Sequence, residues 1–215
     1  MNQAEQKVLR RVALITAAIV LSGLIVLSPR WPRTARLWEV FPPVEESNRS
    51  WCARQNLSYG IGLALMQYTQ DYDDKLPLTQ FDTGTNGWAE QLQPYTFSAN
   101  FQCWNEGVPS GNDPNKTGFT DYWFNGNASG KKLGAFPNPR NTFLAGEGND
   151  GVELTDARYH KFSLPPAWIT NGSSPAYRHG GGANYLFADG HTKWLKPRQV
   201  TTAPARTGQY TFAIR

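Results

Sequence analysis

The residues best suited to chemistry lie near the C-terminal end of the chain, in the run RHGGGANYLFADGHTKWL that starts at Arg178. His179, Asp189 and His191 form a set that holds zinc or another divalent cation if Gly180 to Gly182 fold His179 back toward the Asp189 turn. The plainer reading is structural: Asp189 belongs to a turn with Gly190, and His179 caps or hydrogen-bonds that turn. A second oxygen-rich stretch, Glu147-Gly148-Asn149-Asp150-Gly151, is followed by Glu153 and Asp156. It offers Glu147, Asn149 and Asp150 as calcium ligands, although the spacing is not that of an EF-hand loop. Asp71, Asp73 and Asp74 are a third carboxylate group, which reads equally well as the solvated end of a helix.

Motifs of covalent or phosphoryl chemistry are missing. There is no G-x-S-x-G, no H-E-x-x-H and no phosphate loop, and neither cysteine has a histidine close in sequence. The chain therefore reads as a non-enzyme, with a metal-dependent hydrolase around His179 as the enzymatic alternative. The net charge of +4 does not mark a nucleic-acid binder. Of 21 Lys and Arg, 18 follow Pro29, as do 16 of 17 Asp and Glu, so the region after Pro29 is nearly neutral. The one basic cluster, Arg30, Arg33 and Arg36, adjoins an apolar run, where such residues meet lipid headgroups.

Several elements must position these residues. Leu57, Ile61, Leu65, Tyr68 and Tyr72 recur at helical spacing and make one apolar stripe, with Ser47 or Asn48 as N-cap. Gly60 and Gly62 narrow the same helix, which predicts close approach of a sheet. From Asp73 to Gly118 the chain is rich in Gly, Pro and loop-pinning aromatics. Strand signals follow at 119–124, 141–145, 184–188 and 192–195. Asp189-Gly190 between the last two predicts a two-residue hairpin turn that sets Tyr185 opposite Trp194. One long helix followed by short strands predicts an α+β fold, with the helix packed on an antiparallel sheet.

Val12 to Ser28 is uncharged over its whole length and predicts an uncleaved transmembrane anchor, because Ser28-Pro29-Arg30-Trp31 is a poor cleavage site. The expected organisation is a cytoplasmic stub and anchor (1–29), a Pro-rich linker (30–46), a globular domain (47–197) and a C-terminal tail (198–215). The domain would lie outside the cytoplasm on a single-pass membrane protein. In that compartment Cys52 and Cys103 would pair as a disulfide, closing a loop of about fifty residues and adding ~4 kcal/mol; two buried thiols are the alternative.

Two segments resemble a known family. Cys52 to Leu57 with Ile61 to Asp73, followed by Pro77, is similar to the first helix of bacterial prepilin-like proteins. The spacing from His179 to Asp189-Gly190 matches their C-terminal H-x9-D-G signature. Phe101-Gln102-Cys103-Trp104 and Asp121 to Gly126 resemble shorter family segments. The resemblance implies a pilin-like domain related to the major pseudopilins of type II secretion, whose relatives bind calcium near their sheet. It also implies His179, Asp189 and Gly190 as a structural motif. The start MNQAEQKVLRRVALI lacks the Gly and Glu of the prepilin peptidase site. The expectation is a permanently anchored envelope protein with membrane lipid and pilin-like protein partners, not a processed filament subunit. The second expectation is a surface module that binds glycan or peptide through its aromatic loops.

Overall fold

In a computed structural model of the chain, the described residues are 51, 53–80, 87–103, 113–201 and 210–214. They belong to one compact unit, Val44–Arg215. Val12 to Ser28, on which the expected anchor falls, lies outside them. Among the described residues no helix is long and apolar enough to cross a membrane.

The expected long helix is not regular. A π-helical segment, Asn56–Gly62, runs into the nine-residue helix α1, Leu63–Asp71. Two further α-helices among the described residues are short: α2, Trp88–Gln91, and α3, Pro166–Thr170. The two glycines mark where the wide turns meet their neighbours. A Cβ at Gly60 would come within 2.7 Å of Asn100 Cβ, and one at Gly62 within 3.2 Å of Leu186 Cδ1. Four residues of the apolar stripe are buried, Leu57, Ile61 and Leu65 fully and Tyr68 nearly so, whereas Tyr72 at its end is exposed. Asp73 and Asp74 take left-handed backbone angles (φ 55 and 62). The Asp74 N–H donates to Thr69 O at 2.8 Å, a bond that closes the helix C-terminus. Asp tolerates these angles better than most side chains, so this carboxylate group ends a helix.

The sheet has five strands in the order β3-β1-β2-β4-β5. They are β1 Tyr122–Asn125, β2 Phe143–Glu147, β3 His160–Lys161, β4 Ala183–Phe187 and β5 Thr192–Leu195. The expected antiparallel sheet is corrected to a mixed one, because β3 pairs with β1 in parallel. Every residue of β1, β2 and β4 is buried. Two cores cover the two faces, so the strands read as continuous apolar runs rather than as a polar and apolar alternation. Tyr122, Phe124 and Leu186 join the core under the helices; Trp123, Tyr185 and Phe187 join the core on the opposite side.

The β4–β5 hairpin also departs from expectation. Tyr185 faces Lys193, and Trp194 faces Asn184. Three residues, Ala188 to Gly190, make the turn. Gly190 N–H donates to Phe187 O at 2.9 Å, and Phe187 N–H to His191 O at 2.9 Å. Only Gly190 needs a positive φ, of 87. This is a type I turn followed by a left-handed glycine, and the added residue shifts the register by one on one strand. Past residue 197 the chain returns to the body: β6, Val200–Thr201, pairs with β7, Tyr210–Thr211, and Phe212 is buried in the second core.

Candidate functional site

At the end of β2 the sheet carries a carboxylate inward. Glu147 Oε1 accepts two bonds from Asn184 on the neighbouring β4, from the backbone N–H and from Nδ2, both at 2.8 Å. Its second oxygen, Oε2, lies 2.9 Å from His179 Nε2, but the contact is not aligned as an N–H···O hydrogen bond. We read it as a short electrostatic contact. Cys103 Sγ lies 3.6 Å from the same imidazole nitrogen. Cys103, His179, Glu147 and Asn184 are all buried.

Glycines place the imidazole there. Gly180 and Gly181 have φ of 62 and 82, turning the chain so that His179 N–H donates to Gly182 O at 2.9 Å. Trp194 fixes the turn from β5: its Nε1 donates to His179 O at 2.8 Å. The indole rests on the bare Cα of Gly182, where an added Cβ would fall 2.4 Å from the ring.

A second carboxylate borders the cluster. Asp121 Oδ2 accepts from Cys103 N–H at 2.6 Å and Oδ1 from Asn149 Nδ2 at 2.6 Å. Burial pushes its carboxyl above the usual range, against the lowering effect of those two donors. The Tyr122 phenol is raised well above its ordinary value by burial, then by Cys103 and Glu147 nearby. Asn56, in the helix motif, donates from Nδ2 to Gln102 O at 2.8 Å and to the Tyr122 phenol Oη at 3.3 Å, tying the π-helical segment to the cluster.

The arrangement is not that of a nucleophile triad. In a triad the thiol and the carboxylate engage opposite nitrogens of the imidazole. Here both face Nε2, so no relay runs from carboxylate through ring to sulfur. The groups are instead the polar joints between the segments that carry Asn56, Cys103, Asp121, Glu147 and His179.

The metal candidates separate in space. Glu147 points into the buried cluster, while Asn149 bonds Asp121. Asp150 Oδ1 accepts from Val152 N–H at 3.1 Å, and Oδ2 from Trp168 Nε1 at 3.2 Å. His179 contacts the open end of the β4–β5 hairpin, whereas Asp189 and His191 occupy its closed tip, roughly 15 Å away along β4. At that tip His191 Nδ1 lies 2.5 Å from Asp189 Oδ1, and the imidazole stacks on Phe187. Among the described residues no group of three or more His, Cys, Asp or Glu is arranged to hold a metal ion.

The expected bridge between the cysteines is also corrected. No disulfide occurs among the described residues, Cys52 lies outside them, and Cys103 packs against His179. That contact joins residues 76 apart in sequence, and no local spacing announces it. Comparison with protein-family models, with curated proteins and with solved structures returned no match. The pilin-like resemblance therefore has no support beyond the motifs that first carried it.

Proposed function

We propose that this chain is a structural and interaction protein of the bacterial cell envelope rather than an enzyme. The observation that carries the reading is the burial of Cys103, His179 and Glu147. Each reactive side chain is turned inward and spent on joining segments of the domain. The H-x9-D-G spacing supports the same view, since His179 anchors one end of the hairpin and Gly190 turns the other. The uncharged run from Val12 to Ser28 supports a place at the membrane, with the domain outside the cytoplasm and membrane lipid and other envelope proteins as partners.

Crosslinking in intact cells, followed by mass spectrometry of the full-length chain, tests the proposal. Envelope proteins should be recovered, and protease added to intact spheroplasts should cut the domain. Recovery of cytoplasmic partners only, with the domain protected, would sink it. Turnover of any ester, amide or glycoside that His179→Ala abolishes without loss of fold would replace it with an enzymatic reading.

A further inference from the structure

An open pocket of about 360 Å³ lies beside the edge strand β3, lined mostly by polar and charged side chains whose charges balance. Two cations and two carboxylates line it, and each cation is already paired. Lys161 Nζ bonds both oxygens of Glu153, and Arg158 Nε donates to Asp156 Oδ2 at 2.9 Å while its Nη2 reaches the same oxygen. The Lys161 ammonium also lies over the Tyr159 and Trp168 rings, at 5.4 and 5.1 Å from their centroids. A charged ligand would have to break one of these pairs to gain a partner. A ligand of hydroxyl groups would not. Each hydroxyl both donates and accepts; the partly exposed Glu153 carboxylate keeps lone pairs that can accept from it, while Asp156 is buried and holds Arg158 in place.

The third lining group is also set for such a ligand. His160 Nδ1 lies 2.8 Å from Arg158 O. A carbonyl only accepts, so Nδ1 carries the proton, and in the neutral ring Nε2 is left as an acceptor. Beside it, Phe162 is 60% exposed and meets the His160 ring edge-on, at 5.1 Å between centroids. Both rings rest against Gly126, where a Cβ would fall 2.6 Å from Phe162 Cε1. Leu154, 54% exposed, adds apolar surface to the lining. Phe162 and Leu154 thus set exposed apolar surface beside a polar cleft. A flat ring of this kind fits the C–H face of a sugar. The volume falls within the ~300–1,000 Å³ usual for small-molecule sites.

We infer that this pocket binds a neutral saccharide unit, with Phe162, outside the lining but in ring contact with His160, as the stacking platform at the rim, and Glu153, Lys161 and Arg158 as the hydroxyl-binding wall. The inference does not depend on the envelope reading and would survive its failure. The test uses the full-length chain, kept in a detergent without a sugar headgroup. Cellobiose, maltotriose and di-N-acetylchitobiose are titrated by saturation-transfer NMR, with trigalacturonate as the anionic control and an extended uncharged peptide as the other control. At least one neutral sugar should bind, and Phe162→Ala and Lys161→Met should each weaken it about tenfold. Phe162 is largely exposed, so its variant should keep the wild-type circular dichroism and melting temperature. Failure of every neutral sugar at millimolar concentration overturns the proposal. So does tighter binding of trigalacturonate or of the peptide, or sugar binding that Phe162→Ala leaves unchanged.

Discussion

His179 Nε2 and Glu147 Oε2 meet 2.9 Å apart with both side chains wholly buried. The pair joins the loop before β4 to the end of β2, and it sets the energetic scale of the motif. Truncating the imidazole opens a cavity at a fully buried site and leaves Glu147 Oε2 without this contact, at a cost of about 2–5 kcal/mol. His179→Ala should therefore lower unfolding free energy by about that amount in urea denaturation. Glu147→Gln keeps an oxygen for Asn184 and should cost less, about 1–3 kcal/mol. A loss below 1 kcal/mol for His179→Ala would mean that the pair contributes nothing net.

Two glycines of the same segment should fail for different reasons. Gly190 has φ 87 and open space around its Cα, so Gly190→Ala should cost only the left-handed strain, about 1–2 kcal/mol. Gly182→Ala would drive a Cβ to 2.4 Å from the Trp194 indole and 2.6 Å from Leu195 O. It should cost more than Gly190→Ala and should shift Trp194 fluorescence, because the ring must move. Equal losses with an unchanged spectrum would contradict the packing described.

Asp121 should give the domain a pH dependence of defined sign. Burial holds its folded-state carboxyl above the unfolded value of ~3.9. Between those two values the native state binds more protons than the unfolded state, so the Asp121 contribution falls as pH rises through that window. Below it the penalty is absent, and above it the penalty is complete. Asp121→Asn removes the titration. The wild-type stability minus that of the variant, followed by urea denaturation from acid to neutral pH, should decrease with rising pH. An increase would reverse the assignment.

Tyr95 should titrate late. The hydrogen bond from its hydroxyl to Asp71 Oδ2, at 2.7 Å, is the largest cause of a phenol pushed up to about 12. Ultraviolet absorbance titration, with Tyr95→Phe to assign the signal, should show that phenol moving back toward the ordinary value of ~10 in Asp71→Asn. No movement would mean that the bond is absent in solution.

Much of the local structure was legible in the residues themselves. Helical spacing located Leu57, Ile61 and Leu65, and four strands lie at or near their apolar runs. Asp189-Gly190 marked a hairpin, and Asp73-Asp74 marked a helix end. Each of these signals acts over a few residues, through side-chain period or backbone sterics, and so survives in a single sequence. The tertiary structure decided the rest. It placed β3 parallel to β1, covered both faces of the central strands, and widened the helix at Asn56–Gly62 where Gly62 meets Leu186. It set Trp194 opposite Asn184 by spending one more residue on the turn. It also brought Cys103 to His179 and turned Glu147 from a presumed surface ligand into a buried partner. These relationships join residues tens of positions apart, and their pairing follows from which surfaces pack together, a property that no local period carries.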